Sequence, residues 1–304
     1  MNCVYEPIAE AMGFGIQWII EGYVMIEKSN LLVGDYMKRK LGIYSWFGVN
    51  LHIKERLFLI KESGFDSTML WWGDQVAFWE LNKEELMKEA NKLGLEVENF
   101  HLPYNHAHFL WEDNEESKEV VKSTIEGIND CKRFGVEGVV IHVENDRLMH
   151  LNEKAGIDNL KRVIETADKN GVIVAIENTK QNHIVEKVLE SIDNPWLKLC
   201  YDASHDWLSG GSQGNIIDRF GHRLEYLHLS DNDLIEDRHW IPGDGKISWS
   251  KLMNALHEVS YHGNISFEVC PFDQEVHANT LLSRVYEFGQ KCRVYLDELE
   301  GNHG

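Results

Sequence analysis

Basic residues are scarce in this sequence relative to acidic ones. Its 304 residues include 30 Lys plus Arg and 50 Asp plus Glu, which gives a formal net charge of −20 at pH 7. A protein that follows a nucleic acid backbone needs a positive surface to neutralise the phosphates. The composition therefore argues against nucleic acid as a partner.

Paired cysteines and long apolar runs are also missing. The five cysteines are odd in number, widely spaced and without a C-x-x-C pair, so we expect neither a disulfide framework nor a thiolate zinc site. The most apolar early stretch, residues 12–20, is interrupted by Gln17 and has no basic region before it. We therefore expect no export signal and no membrane span, and a cytoplasmic location.

The sequence does contain enough apolar material for a large core, since 43% of it is hydrophobic and 11% aromatic. No linker or change of composition divides residues 37–299, which are predicted to form one domain. Residues 1–36 are predicted to be an extension with two open interpretations: either Met37 is the biological start, or residues 8–26 form a helix that caps the domain. Residues 300–304 are predicted to be a frayed tail.

A helical pattern, a glycine and a short apolar run recur along this domain. The glycine suits the left-handed turn that ends a helix, and the apolar run is too short for a helix and too continuous for an exposed strand. The buried parallel strands predicted in this way span residues 41–47, 67–71, 96–101, 138–142, 172–177, 197–201, 224–228 and 264–268. Eight strands alternating with helices, the last at 279–299, predict an α/β fold of the (β/α)₈ TIM barrel type in a single domain.

Six of these strands end at, or just before, a residue that can bind a metal ion. These residues are His101, His142, Glu177, Asp202, His228 and Glu268. The carboxyl ends of barrel strands meet at one mouth, where three carboxylates and three imidazoles would repel or desolvate one another without a cation. Mixed oxygen and nitrogen ligands suit Mn²⁺, Zn²⁺ or Co²⁺, with Mg²⁺ as a further candidate. A divalent metal site is therefore predicted at the mouth.

Two local motifs extend the predicted site. In Asp202-Ala-Ser-His205 the imidazole lies about one helical turn from the carboxylate. The run Asp237-Arg238-His239 follows strand seven and offers two more ligands that flank a cation. Both motifs place further donors beside the strand ends.

Two more segments allow two interpretations each. Trp46, Trp71 and Trp72 lie at the ends of strands one and two, where an indole either stacks on a sugar ring as a substrate wall or packs at the barrel rim. The Gly-Gly-Ser run at residues 210–212 either wraps a phosphate through its N–H groups or forms only a turn.

The strand-end residues resemble those of the xylose isomerase-like TIM-barrel superfamily over about residues 41–295. This superfamily contains sugar and sugar-phosphate isomerases and epimerases, and also nucleases of the endonuclease IV type. In its ketose 3-epimerases one divalent metal is held by residues that match Glu177, Asp202, His228 and Glu268. The resemblance also matches His205 and Arg238 to substrate-binding residues. The remaining candidates for substrate binding or for ligation of an additional metal are His101, His142, Asp237 and His239.

The resemblance implies a metal-dependent sugar or sugar-phosphate isomerase or epimerase with a small-molecule sugar as its partner. A cation chelated by the substrate carbonyl and a neighbouring hydroxyl stabilises an enediolate, and Glu177 and Glu268 are the predicted catalytic acid and base. The sequence leaves open which sugar is used and whether the chain forms a homo-oligomer.

Three different functions stay open beside this one. The nuclease branch holds three zinc ions with nine ligands, and each has a counterpart here: His101, His142, Glu177, Asp202, His205, His228, Asp237, His239 and Glu268. The net charge and the stretch that follows His228, which lacks the lysine that the nucleases tend to have, argue against a nuclease. A lyase of the keto-inositol dehydratase type is the second of these functions, and a non-catalytic sugar-binding barrel is the third.

Overall fold

The structure, a computed structural model, describes residues 39–73, 81–145, 151–209 and 215–301. The predicted extension at residues 1–36, its boundary at Met37 and the Gly-Gly-Ser run at 210–212 lie outside the described residues. The predicted division of the chain therefore stays a prediction.

Eight parallel strands form the centre of the molecule. They are β1 (Leu41–Tyr44), β2 (Ser67–Trp71), β3 (Glu96–His101), β4 (Gly138–Ile141), β5 (Ile173–Glu177), β6 (Leu197–Asp202), β7 (Leu224–His228) and β8 (Ile265–Phe267). Their order in the sheet is β7-β6-β5-β4-β3-β2-β1-β8. The Leu229 N–H donates to the Ser266 carbonyl at 3.0 Å and the Glu268 N–H donates to the Leu229 carbonyl at 3.1 Å. These bonds join β7 to β8 and close the ring, which confirms the predicted barrel.

Helices alternate with the strands around this ring. They are α1 (Ile53–Glu62), α2 (Lys83–Leu93), α3 (Glu115–Phe134), α4 (Glu153–Asn170), α5 (Asn182–Ser191), α6 (Ala203–Leu208), α7 (Asn215–Phe220), α8 (Trp249–Glu258) and α9 (Ala278–Gly301). The described connections also contain the 3₁₀ helices Ala107–Trp111 and Gly221–Arg223. None of the helices in these described stretches is long and apolar enough to cross a bilayer.

Local signals explain where the helices begin and end. The Asn82 side chain accepts from the Glu85 N–H at the start of α2 while the Glu85 carboxylate accepts from the Asn82 N–H, which forms a capping box. The helix ends at Gly94, whose φ of 62° is the left-handed conformation predicted for it. At the end of α8 the last helical residue is Glu258, and Ser260, rather than a glycine, takes a positive φ of 55°.

The strand boundaries agree closely with prediction except in β1. This strand was predicted to reach residue 47 but ends at Tyr44, and the backbone takes a positive φ of 80° further on, at Gly48. Phe47 is fully buried, so its apolar character reflects core packing outside the strand. At the other end of the chain α9 continues to Gly301, two residues into the predicted tail, and Glu300 pairs with Arg39.

Polar side chains fill the barrel interior below the mouth. Gly42, Ser67 and Ser266 lie at one level on β1, β2 and β8. The Glu98 Oε2 accepts from the Ser67 hydroxyl at 3.2 Å and from the Ser266 hydroxyl at 2.6 Å. A Cβ on Gly42 would lie 2.5 to 2.8 Å from the oxygens of all three of these side chains. Only glycine therefore fits at position 42. We call Gly42, Ser67, Glu98 and Ser266 the floor cluster.

Candidate active site

Four side chains meet at the centre of the barrel mouth. His101, Glu177 and His228 are the last residues of β3, β5 and β7, and Glu268 directly follows β8. Each offers one nitrogen or oxygen, and these four atoms lie within 4.8 Å of one another. The His228 Nδ1 is 3.1 Å from the Glu177 Oε2 and 2.7 Å from the Glu268 Oε2. We call these four residues the central group.

Asp202 lies in a second group, with Glu177 and His205. The ligand atoms of the second group are also within 4.8 Å of one another. Glu177 therefore belongs to both groups. His101 is the fourth member of the central group, and the ligation by Glu177, Asp202, His228 and Glu268 that the family resemblance implied stays a prediction.

His205 joins a third group with Asp237 and His239. The Asp237 Oδ2 is 2.9 Å from the His205 Nε2 and 3.3 Å from the His239 Nε2. His142, just after β4, places its Nε2 at 3.1 Å from the Glu177 Oε2. All nine residues with counterparts among the nuclease ligands thus lie in or beside these three groups.

Backbone carbonyls orient three imidazoles of the site. The Nδ1 of His101 is 3.1 Å from the Leu102 carbonyl, that of His205 is 3.0 Å from the Asn178 carbonyl, and that of His239 is 3.0 Å from the Glu268 carbonyl. A carbonyl only accepts, so each Nδ1 carries a proton, and the opposite ring nitrogen, Nε2, faces a carboxylate of its group. Histidines that bind metals are oriented in this way.

Several buried polar atoms of the mouth have no hydrogen-bond partner. They are the Asp202 Oδ2, the Glu268 Oε2, the His142 Nε2 and both ring nitrogens of His228. The His142 Nε2 and the His228 Nδ1 are close to a carboxylate yet lack hydrogen-bond geometry. A buried polar atom without a hydrogen bond destabilises the folded state. Lone pairs that converge without bonding to one another fit a cation between them, and the mixed donor set fits a divalent transition metal.

The ionisation of the mouth carboxylates follows from their neighbours. Burial alone would raise the pKa of Glu177, but the His142 and His228 imidazoles hold it well below its usual range. Burial also opposes ionisation of Glu268, yet His228 lowers its pKa to about 2. For Asp202 burial prevails and raises the pKa to about 7. Glu177 and Glu268 are thus carboxylates at neutral pH, able to accept a proton or to bind a cation.

A cavity of about 500 Å³ opens beside the central group. His101, His239 and Glu268 border it, and the predicted wall residues Trp46, Trp71 and Trp72 line it. The Trp71 ring stacks on His101 with centroids 5.8 Å apart and an interplanar angle of 21°. Part of the predicted substrate wall therefore faces the mouth.

Arg238 lies apart from the three groups. Its guanidinium is 3.1 Å from Asp233, 2.9 Å from Glu236 and 3.5 Å from Asp273, and it lies over the Trp240 ring. These three carboxylates pair with the guanidinium that, by the family resemblance, would contact the substrate. Its predicted role in substrate binding stays a prediction.

Sequence reasoning missed three residues that shape the site. Tyr44 ends β1 with its ring centroid 5.9 Å from that of His101, and Tyr104 stacks on His142 at 4.4 Å. The Asn178 side chain donates to the Asp202 carbonyl at 2.9 Å and accepts from the Asp202 N–H at 2.8 Å. Tyr44 was missed because the first strand was predicted to continue to residue 47, so Tyr44 was not read as a strand-end residue. Asn178 directly follows Glu177, so reading one residue past the strand end would have found it.

Comparisons with known proteins agree with this architecture. The xylose isomerase-like TIM barrel family matches residues 57–288. The chain belongs to this family. It is 26% identical over 125 residues to a D-psicose 3-epimerase from Enterocloster bolteae, which is 37% of this chain and 40% of that protein. It is 24% identical over 225 residues to an inosose dehydratase from Geobacillus thermodenitrificans, 64% of this chain and 69% of that protein.

The structural likeness covers more of the barrel. A solved L-ribulose 3-epimerase superposes with a TM-score of 0.72 at 16% identity, covering 88% of this chain and 98% of that one. At this identity the likeness shows the fold alone. The sequence matches span about half the length of the first curated relatives, 56% and 40%.

Proposed function

We propose that the protein is a divalent-metal-dependent sugar epimerase or isomerase. The observation that carries this proposal is the central group, in which two ionised glutamates and two imidazoles converge beside a cavity lined by indoles. The similarity to sugar 3-epimerases supports the same reaction class.

The central and second groups would hold the cation through Glu177, Asp202, His228 and Glu268, with His101 beside them. When bound, a divalent cation polarises the substrate carbonyl and makes the adjacent C–H more acidic. The side chain of Glu268 is 16% exposed and borders the cavity, whereas that of Glu177 is 2% exposed. Glu268 is therefore the carboxylate placed to take the proton first, and Glu177 is the deeper partner that returns a proton.

The geometry of the glutamates is compatible with either inversion or isomerisation. A proton returned to the same carbon from the other face inverts it, and a proton delivered to the neighbouring carbon isomerises the sugar. Loss of a hydroxyl after the first proton transfer would be the dehydratase reaction. Product analysis by mass identifies dehydration, because it is the one reaction of the three that changes the mass.

The test is incubation of the Mn²⁺-loaded protein with D-psicose, L-ribulose and D-tagatose in deuterated water. We expect at least one ketose to be converted, with deuterium at the reacting carbon of the product. A matched incubation after chelation and removal of metal should give no conversion. If every ketose, its aldose partner and its phosphate ester remain unchanged with the metal site shown to be occupied, the proposal is wrong.

A second candidate, a phosphodiesterase with several metal ions, is favoured by one observation. The third group, His205, Asp237 and His239, could hold a cation of its own. The net charge of −20 opposes a nucleic acid substrate. Metal content per chain and incision of an abasic duplex decide between the two candidates: one ion and no incision support the sugar enzyme, and three ions with chelator-sensitive incision support the phosphodiesterase.

A further inference from the structure

The two glutamates proposed to transfer protons are held by different parts of the backbone. Glu177 is the last residue of β5 and pairs with Cys200 in the parallel ladder. Glu268 lies one residue beyond β8, which is only three residues long and ends at Phe267. The Glu268 N–H donates to the Leu229 carbonyl at 3.1 Å. The sheet therefore fixes one side of Glu268 and leaves its carbonyl group to another partner.

His239 provides this partner from the loop that follows β7. Its ring Nδ1 is 3.0 Å from the Glu268 carbonyl oxygen, and the Nδ1–H is the donor because a carbonyl only accepts. The Ser230 Oγ is a more distant neighbour of the same Nδ1, at 3.4 Å. The His239 carbonyl in turn accepts from the Cys270 N–H at 2.8 Å. Two hydrogen bonds from one residue therefore hold the backbone on both sides of Val269.

The backbone of His239 is strained. Its φ is 46°, which lies in the left-handed region that residues with a β-carbon adopt uncommonly. A residue other than glycine keeps such a conformation only where its surroundings impose it, and these residues cluster at functional sites. Glycine would fit this backbone without strain. The histidine side chain must therefore contribute something that glycine lacks.

The rest of the loop imposes the conformation of His239. Asp231 and Trp240 exchange both of their backbone hydrogen bonds, at 2.9 and 2.8 Å. The buried Asp231 carboxylate also accepts from two backbone N–H groups and from the Trp249 indole, at 2.8 to 3.1 Å. The pairing of Trp240 fixes the backbone directly after His239 and keeps its ring against the Glu268 carbonyl.

We infer that His239 is a positioning residue, whose Nδ1–H holds the Glu268 backbone so that the Glu268 carboxylate keeps its place in the central group. This inference rests on the proposed function for the role of Glu268 in proton transfer and metal binding. It goes further in naming the residue through which the loop after β7 controls that carboxylate. The competing assignment is a role for the His239 Nε2, which is 3.3 Å from the Asp237 carboxylate.

The test compares two substitutions that both suit a positive φ. Asn tolerates the left-handed region, and its Nδ2 lies as many bonds from the backbone as the Nδ1 of histidine, so His239→Asn keeps a donor for the Glu268 carbonyl. His239→Gly suits the same φ but has no donor. Neither variant has a nitrogen in the place of the Nε2. Ser260→Gly is the matched control, because Ser260 also has a positive φ, of 55°, but follows α8 and belongs to none of the three groups.

The measurements are the Kd for Mn²⁺ by calorimetry on the full chain, and kcat and KM on the ketose that the wild type converts. Loss of a hydrogen bond behind a metal-binding residue typically lowers metal affinity or activity by about 10- to 100-fold. His239→Gly should lose about this much Mn²⁺ affinity, and about this much kcat at saturating Mn²⁺, with KM nearly unchanged. His239→Asn should recover both quantities to within about threefold of the wild type. Ser260→Gly should match the wild type.

Two results would overturn the inference. An equal loss in His239→Asn and His239→Gly would assign the role to the Nε2, and one metal ion fewer per chain in both variants would make His239 a ligand. Wild-type values in His239→Gly would show that the Nδ1–H does nothing for Glu268. If His239→Gly does not fold, His239→Asp takes its place, because Asp has the shape of Asn and tolerates the same φ but its carboxylate cannot donate to a carbonyl.

These readouts separate the inference from the proposed function. If the wild type binds Mn²⁺ but converts no sugar, the epimerase function is wrong, and the Mn²⁺ affinities of the variants still decide the role of His239. If ketoses are converted equally well by the wild type and by His239→Gly, the proposed function stands and the inference is wrong. A wild type that neither binds Mn²⁺ nor converts a sugar would overturn both.

Discussion

The two ends of the barrel interior bury carboxylates in opposite ways. At the mouth, Glu177 and Glu268 face imidazoles that hold their pKa values low against the effect of burial. At the floor, Glu98 has hydroxyl partners from Ser67 and Ser266, and burial raises its pKa. The same chemical group is therefore kept charged at one end and shifted toward its neutral form at the other.

The difference shows that burial of a carboxylate does not by itself indicate a metal site. The floor cluster satisfies the Glu98 Oε2 with two hydroxyls. The Glu98 Oε1 also lacks a hydrogen-bond partner, but at the central group four side chains each bring a nitrogen or oxygen within 4.8 Å of the others. The partners, and not the burial, distinguish the reactive end from the structural end.

The largest effect is expected from Glu268→Gln at the mouth. The amide keeps the size of the side chain and one ligand oxygen but cannot accept a proton from carbon, so turnover should fall by about 10² to 10⁴. The measurement is kcat on the ketose that the wild type converts, with metal content determined in parallel because loss of a ligand charge also weakens metal binding. Glu225→Gln, on β7 but outside the three groups, is the control and should keep its activity. Wild-type turnover in metal-loaded Glu268→Gln would make this residue only a ligand.

Removal of metal should affect stability through the mouth alone. A cation bound by the native state at a hundred times its Kd stabilises that state by about 2.7 kcal/mol. The Tm should therefore fall when the protein is treated with a chelator and recover with Mn²⁺. A protein without detectable metal whose Tm does not respond to Mn²⁺, Zn²⁺ or Co²⁺ would contradict the metal site.

Gly42→Ala tests the floor without touching the mouth. The new methyl group would lie 2.5 Å from the Ser266 Oγ and 2.6 Å from the Ser67 Oγ, so we expect a loss of about 1 to 3 kcal/mol in the free energy of unfolding. Metal content per folded chain should not change. Gly301→Ala, where an added Cβ meets nothing within 4 Å, should be nearly neutral. Loss of metal in Gly42→Ala would mean that the two ends are coupled.

The smallest effect is expected from Glu98→Gln, and it should depend on pH. Because burial raises the pKa of Glu98, the folded state keeps this proton to higher pH than the unfolded chain does. The stabilisation contributed by the Glu98 carboxyl group is complete at pH values below the ordinary carboxyl pKa. It is lost as the pH rises through the raised pKa of the folded state. The variant should therefore lose less stability than wild type as pH rises out of the acidic range. Parallel denaturant titrations measure this, and identical slopes for both proteins would contradict it.

The barrel and its candidate ligands could be predicted because both follow from strand periodicity. Each buried run ends at the same edge of the sheet, so reading the last residue of a run was enough to find His101, Glu177 and His228. The strand ends did not predict how these residues divide among the central, second and third groups. Asp202 shares its group with His205 because the chain enters α6 directly after β6 and the Asp202 side chain caps the His205 N–H at 2.7 Å.

Two further features had no signal in the sequence pattern. The pairing of β2 with β3 shifts between Thr68 and Met69, which leaves Glu98 out of the ladder, and its side chain contacts the floor serines. Arg238 was assigned to substrate from the family resemblance, but its nearest partners are Asp233 and Glu236, and acidic neighbours within a loop do not reveal which charges will pair.

The position of Glu177 in both the central and the second group has a thermodynamic consequence. A cation or a proton that binds to either group interacts with the Glu177 carboxylate, which also belongs to the other group. Occupancy of the two groups is therefore linked, and the factor by which one event changes the affinity of the other is the same in both directions. Binding curves for metal and for acid should consequently shift each other by equal amounts, with this single side chain as the point of communication.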